Sequence, residues 1–262
     1  MNLDLTDKYA IVCGSTQGLG FASAIELAIL GANVTLVARN EEKLKEALTH
    51  LDISLQQRHN YVVADFQFPE HVKIAIGKHL AENPSVNILV NNTGGPKAGT
   101  AIEAPVEEYL QAFNSHLICN QILVQAVVPG MKASGYGRII NIISISVKQP
   151  VTGLGVSNTI RGAVASWSKT LATELGPFGI TVNNVLPGYT RTSRLDSLMQ
   201  GKSKAIGKTV EQIEKDLMAD IPANRIGTAE EFGAAVAFLC SPAAGYINGI
   251  NLPVDGGRLS TL

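Results

Sequence analysis

Short runs of aliphatic and β-branched residues recur along the chain, separated by longer segments whose apolar positions fall three and four apart. Seven runs read as strands: Tyr9–Cys13, Asn33–Ala38, Tyr61–Ala64, Asn87–Asn91, Arg138–Ile143, Thr181–Leu186 and Gly249–Val254. Most are apolar nearly throughout instead of alternating, the pattern of strands covered by helices on both faces. Between them, Leu44, Leu48, Leu51 and Leu55 mark one helical stripe. Ile160, Val164, Trp167, Leu171 and Leu175 mark another, on a helix ending near Gly176-Pro177. Strand alternating with helix implies long crossovers, hence parallel pairing and a doubly wound α/β fold. No repeat, low-complexity tract or polar linker interrupts the sequence. A single domain over residues 1–262 is therefore expected, with 193–221 an excursion that could act as a lid.

Composition narrows the class without naming it. Of the 262 residues 45% are hydrophobic and 16% charged, enough for a sizeable core. A net charge of −1 provides no basic field for nucleic acid or anionic membrane. The apolar stretches are too short to span a bilayer. The first residues lack a basic segment leading into an apolar signal core, so a cytoplasmic location is expected. Cys13, Cys119 and Cys240 are odd in number and far apart, which reads as buried small residues with no metal site.

Candidate chemistry begins where the first strand ends. Gly14-Ser15-Thr16-Gln17-Gly18-Leu19-Gly20 follows Ala10-Ile11-Val12-Cys13 and opens an apolar helix. Glycines there allow a tight turn and close backbone approach, and the helix N-terminus offers N–H groups to a pyrophosphate. A glycine-rich turn with no ligand is the plainer alternative, but this strand–turn–helix context favours a dinucleotide and a Rossmann fold. Strand two ends Val37-Ala38-Arg39-Asn40, with no acid for the adenosine ribose. Arg39 would offer a fork to a 2′-phosphate, which favours NADP over NAD; a solvated arginine at a strand end is the alternative.

These motifs, taken in order, resemble the short-chain dehydrogenase/reductase family over nearly the whole chain. Its G-x-x-x-G-x-G turn matches Gly14, Gly18 and Gly20, which with Ser15, Thr16 and Leu19 are thereby assigned to the cofactor. Asn91-Asn92-Thr93-Gly94 is similar to the family's N-N-A-G motif, implying that Asn92, Thr93 and Gly94 line the cofactor. Asp65, with Phe66 beside it, matches the adenine-side position. Pro187-Gly188-Tyr189-Thr190-Arg191-Thr192 is similar to the segment that meets the carboxamide, which brings in Pro187, Gly188, Thr190 and Thr192. The C-terminal Arg225-Ile226-Gly227 and Val254-Asp255-Gly256-Gly257 follow the same pattern.

Within the family the chain looks most like β-ketoacyl-acyl-carrier-protein reductases, with a divergent catalytic set. The family uses Asn, Ser, Tyr and Lys. Here Ser144 supplies the serine, Ser157 stands thirteen residues on where the tyrosine belongs, and Arg161 replaces the lysine. His116 falls at the asparagine position, with Asn114 nearby. Ser157-Asn158-x-x-Arg161 is similar to a ketoacyl-reductase-like sub-group that keeps the cofactor fold and departs from the tetrad.

Three readings follow. A reductase or alcohol dehydrogenase would hold a carbonyl oxygen on Ser144 and Ser157, stabilise the alkoxide and bind the nicotinamide ribose with Arg161, and relay a proton through His116 or water. A structural role for His116 in a helix expected over Leu110–Met131 is the competing account. Tyr189, Lys97 and Lys148 are further loop candidates. In the second reading the fold binds NADP(H) only, as a sensor or regulatory subunit. In the third it is chiefly an oligomer partner, since helices over Pro105–Lys132 and Ser157–Leu175 correspond to those that pair between subunits of the family. The oxidoreductase reading is preferred, with a homodimer or homotetramer expected and a small carbonyl or alcohol substrate. Leu195, Leu198, Met199, Leu217 and Met218 are candidates to cover it or to pack the lid.

Overall fold

The structure, a computed structural model, describes residues 1–261. Seven strands form one parallel sheet in the order β3-β2-β1-β4-β5-β6-β7. They are β1 (Tyr9–Cys13), β2 (Asn33–Ala38), β3 (Asn60–Val63), β4 (Ile88–Asn91), β5 (Gly137–Ile142), β6 (Ile180–Pro187) and β7 (Asn251–Val254). The helices are α1 (Gly18–Ile29), α2 (Glu41–Leu48), α3 (Pro69–Glu82), α4 (Val106–Phe113), α5 (Cys119–Ser134), α6 (Gly155–Leu175), α7 (Ser193–Ile206), α8 (Val210–Ala219) and α9 (Ala229–Cys240). Among the described residues no helix is long and apolar enough to cross a membrane.

The apolar strand runs are explained by two cores, one on each face. Ala10, Val12, Leu36, Val90 and Ile140 meet Ala24, Leu27 and Leu44 of α1 and α2, and Phe232 and Val236 of α9. Their strand neighbours Ile11, Cys13, Leu89 and Ile139 meet Val72 and Ile76 of α3, Leu123 and Val127 of α5, and Leu175 of α6. Successive strand residues point to opposite faces, so full coverage demands apolar residues at both parities. The three cysteines are free and buried, as expected for small apolar side chains.

Two helical expectations need correction. The stripe through Leu51 and Leu55 is not helical, because α2 stops at Leu48. Thr49 Oγ1 donates to Glu46 O at 2.7 Å, and Asp52 Oδ1 accepts Ser54 N at 2.8 Å. Those local side-chain bonds offer the backbone an alternative to helix, leaving Leu51 buried and Leu55 exposed. The expected continuous helix Leu110–Met131 is interrupted by one π turn, Asn114–Ile118, between α4 and α5. An i→i+5 turn inserts an extra residue and re-aims the side chains around it; such turns recur at functional sites.

The order reverses between β1 and β4, with β2 and β3 on one side and β5 to β7 on the other. In open α/β sheets the crevice at this reversal, beyond the carboxyl ends of the strands, is where ligands bind.

Candidate functional site

The carboxyl ends of six strands deliver the candidate residues to one edge of the sheet. After β1 the chain turns through Gly14, with φ +57°, where a side chain would be strained. A Cβ there would lie 2.7 Å from Asn92 Nδ2 and 2.8 Å from Asn92 O. Asn92 Nδ2 donates to Gly14 O at 3.1 Å and to Cys13 O at 3.3 Å. A Cβ on Gly20 would meet the same amide at 2.6 Å. The motif after β4 therefore clamps the motif after β1, and two of the glycines make room for that clamp as well as for any ligand. Ser15 is fully buried, its Oγ accepting Val37 N at 3.0 Å, so its side chain ties the turn to β2. Leu19 packs into the core.

The N-terminus of α1 is poised for an anion. Its N-cap Gln17 forms no side-chain cap bond, and the first turn holds no acid. That leaves the orphan N–H groups and the positive end of the helix dipole at Gly18 without a side-chain cap or an acid to meet them. A Cβ on Gly18 would sit 3.6 Å from Thr192 Cγ2, which places the segment after β6 directly against the turn. Along that segment Gly188 N donates to Val254 O, Thr190 is buried, and the Thr192 hydroxyl donates to Thr190 O and caps α7.

Beyond β2 and β3 lies a cavity of about 570 Å³ lined by Arg39, Asn40, Val63, Ala64, Asp65, His71, Ile74 and Ala75. Arg39 and Asp65 thus share one cavity. No carboxylate pairs with Arg39 among the described residues. Asp65 Oδ1 accepts Gln67 N at 3.0 Å, whereas the Phe66 side chain packs inward against the opposite core. An uncapped helix N-terminus, a glycine cradle and an unpaired arginine at the far end fit an elongated dinucleotide that carries an extra phosphate.

At the other end, Asn91, Asn92, Thr93, His116, Asn120, Ile142, Ile143, Arg161 and Val164 line a small buried pocket. The π turn buries His116, whose Nδ1 lies 2.5 Å from Thr93 Oγ1. Burial, and next the Arg161 charge, hold His116 well below the usual histidine range, while a bond to the Gly94 backbone opposes them. His116 is therefore neutral at neutral pH. Arg161 Nη1 donates to Ile142 O at 2.7 Å, and its buried Nε has no partner. Burial, with repulsion from Arg194 second, lowers the Arg161 guanidinium to about 10, which still leaves it charged at neutral pH.

Ser144 is half-buried just beyond β5 and its Oγ accepts Ser146 N at 3.1 Å. With that lone pair engaged, the hydroxyl proton is left to donate. Ser157 opens α6, where the next residue, Asn158, brackets Val151: Nδ2 donates to Val151 O at 2.9 Å and Oδ1 accepts Val151 N at 3.4 Å. Asn158 thereby holds the loop between Ser144 and Ser157. Tyr189 is committed to Arg258, whose guanidinium donates to its hydroxyl at 3.0 Å and stacks on its ring.

The excursion forms two helices, α7 and α8. Leu195, Met199 and Leu217 are buried with Ile213 and Ile226 in a cluster of their own, so these side chains pack the excursion together. Arg194, which no motif in the sequence marks, reaches from α7 to donate to Pro96 O at 2.9 Å.

A row of asparagines crosses the sheet beside the site. Asn91, Asn141, Asn184 and Asn251 stand opposite one another across β4 to β7. Their amides bond in sequence at 2.8, 3.1 and 2.8 Å, with Asn141 also donating to Ser168 Oγ at 3.1 Å. Asparagine recurring within otherwise apolar strands was the available signal, because a buried amide demands partners.

Comparison with known proteins gives a consistent set of relatives. A family model described as enoyl-(acyl carrier protein) reductase matches residues 14–258. The chain is 32% identical over 257 residues to 3-oxoacyl-[acyl-carrier-protein] reductase FabG of Rickettsia bellii, covering 98% of this chain and 99% of that protein. It is 26% identical over 259 residues to NADPH-dependent reductase BacG of Bacillus subtilis, covering 98% and 100%. The crystal structure of L-sorbose reductase from Gluconobacter frateurii, complexed with NADPH and L-sorbose, superposes with a TM-score of 0.93 at 32% identity over 100% of both chains.

Proposed function

The chain belongs to the short-chain dehydrogenase/reductase family, and from that premise we propose that it is an NADP(H)-dependent oxidoreductase acting on a small carbonyl or alcohol with an atypical acid–base set. One observation carries the reading: the glycine turn, the uncapped N-terminus of α1 and the Arg39–Asp65 cavity fall along one sheet edge that ends at the small pocket lined by Thr93, His116 and Arg161. NADPH-binding relatives of the same fold and full coverage support the cofactor.

In this reading Gly14, Thr16, Gly18 and Gly20 approach the pyrophosphate, Arg39 pairs with the 2′-phosphate and Asp65 meets the adenine. The segment Pro187 to Thr192 and the Thr93-Gly94 backbone line the nicotinamide end. When bound, NADPH supplies a hydride. The protein's own groups then manage the carbonyl oxygen. Ser144 and Ser157 donate hydrogen bonds to it, and Arg161 stabilises the negative charge that builds there. Neither serine is an acid at neutral pH, and Arg161 keeps its proton, so the proton that completes the alcohol comes from water held by the hydroxyls. His116, neutral and bonded to Thr93, positions the cofactor-facing loop. The active assembly is a homodimer or homotetramer.

The test is NADPH oxidation followed by fluorescence over a panel of ketones, oxo acids and sugars. Turnover that falls at least about a hundredfold in Ser144→Ala and Arg161→Gln, with NADPH still bound, is expected from loss of one charge-stabilising donor each. Tight NADPH binding with no turnover on any member would replace the reading with that of a sensor.

A further inference from the structure

A second arginine stands beside the first. A Cβ on Gly95 would lie 3.7 Å from Arg194 Nη2 and 3.9 Å from Arg161 Nη2, so both guanidiniums border the space in front of this one glycine. They come from different elements, α6 beneath the pocket and α7 in the lid. Among the described residues neither forms an ion pair with a carboxylate. Arg161 is more than nine-tenths buried, and neither its Nε nor its Nη2 has a hydrogen-bond partner among the described residues. Burying an unpaired cation and setting a second cation beside it is unfavourable in the absence of an anion.

We propose that Arg161 and Arg194 form a recognition site for a substrate carboxylate adjacent to the reacting carbonyl, making the substrate a 2-oxo acid. The proposal rests on the oxidoreductase reading above for the identity of the pocket. Arg161 serves two groups from one planar fork, the charge growing on the carbonyl oxygen and the carboxylate. A single guanidinium can reach both only if they are neighbours in the substrate. Two facing donor groups suit the two oxygens of a carboxylate. A phosphate ester fits less well, because Thr192 already caps α7 and Asp196 places a negative charge in its first turn. The reaction balances as 2-oxo acid plus NADPH plus one proton giving 2-hydroxy acid plus NADP⁺. Arg194, reaching from the lid to Pro96 O, lets a bound anion draw the lid onto the loop after β4.

Calorimetric titration of the NADPH-loaded protein with oxamate, an unreactive 2-oxo acid mimic, and with neutral oxamide tests the site apart from turnover. Oxamate should bind at least tenfold tighter than oxamide. Arg194→Gln should abolish that preference and Arg194→Lys retain part of it. Gly95→Asp, which supplies a carboxylate in place at an unstrained backbone position, should abolish it, whereas Gly95→Asn should retain part of it. Equal binding of oxamate and oxamide by the unmodified protein overturns the proposal, including when a neutral ketone is reduced and the oxidoreductase reading stands. Selective oxamate binding with no turnover on any 2-oxo acid or other member of the carbonyl panel supports the anion site and removes hydride transfer. Displacement of oxamate by lower concentrations of inorganic phosphate overturns the 2-oxo acid assignment in favour of a phosphate ester.

Discussion

At the scale of single residues, charge placement decides what the pocket prefers. Arg39 lines the cavity shared with Asp65 and pairs with no carboxylate among the described residues. A charge-assisted bond to a phosphate contributes about 1.5–3 kcal/mol, or roughly ten- to a hundredfold in affinity. NADPH should therefore bind more tightly than NADH, and Arg39→Ala should narrow the ratio by that factor in fluorescence titration. Equal affinities in the unmodified protein would remove the argument. His116 makes a separate prediction through its burial. Its folded pKa lies well below the ordinary value, with burial first and Arg161 second as causes. The unfolded chain then binds the extra proton, so the contribution to stability is complete above about pH 6.5 and declines as pH falls, by at most about 1.4 kcal/mol per unit. Urea unfolding at stepped pH between 7.5 and 5.5 should show a shallower decline for His116→Gln than for the unmodified protein. Parallel curves would mean that His116 takes up its proton as readily in the folded state as in the unfolded chain.

Elements join these residues, and the joints are where the sequence was least legible. Strand positions came through to within two residues, because a strand covered on both faces has little choice but an apolar run. The turn after β1 was equally plain, since glycines between a strand and a helix mark a tight turn at whatever ligand it meets. What escaped depended on contacts between distant segments. Nothing near Asn92 tells that its amide bonds Gly14 O, and nothing near Gly95 tells that two guanidiniums border it. The end of α2 was missed because Leu51 keeps the helical spacing while Asp52 and Ser54 redirect the backbone. The π turn at His116 leaves no periodic mark, as it shifts the register by one residue only. The clamp between elements is testable. Gly14→Ala must hold a side chain at φ +57° and push it within 2.7 Å of Asn92 Nδ2. Strain and overpacking together should cost about 2–4 kcal/mol in urea unfolding. Adding Asn92→Ala should restore part of that loss, because the amide obstacle is gone while the close approach to the backbone oxygen of residue 92 and the dihedral strain remain. No recovery would place the whole cost in the turn's dihedral and its contact with the backbone of residue 92.

On the scale of the whole molecule, the α4 surface is the part that one chain leaves unfinished. Val106, Leu110 and Phe113 recur at helical spacing and are 68%, 60% and 37% exposed, and Ile102 just before them is 93% exposed. Spacings of four and three put the α4 residues on a single stripe of the helix. An apolar stripe left in water costs free energy in proportion to its area, and contiguous patches of this kind mark association surfaces. Outward positions on the neighbouring α6 are polar by contrast, Thr159, Ser166, Lys169 and Thr170 among them. The surface best suited to bury against a second copy therefore begins at α4. Leu110→Glu places a charge in the centre of the stripe without touching either core, so a lone chain should fold as before. In sedimentation equilibrium the unmodified protein should exceed the monomer mass and the variant should shift toward it. Mass action adds a second readout: the melting temperature of the unmodified protein should rise with concentration, and that of the variant should not. A monomeric unmodified protein, or a variant with unchanged assembly, would assign the stripe to some other partner or to none. Because the loop carrying Gly95 and Pro96 runs directly into this helix, assembly also bears on the site. If α4 is fixed by a second copy, the Arg194–Pro96 contact closes against a rigid wall, and Leu110→Glu should weaken oxamate binding more than NADPH binding.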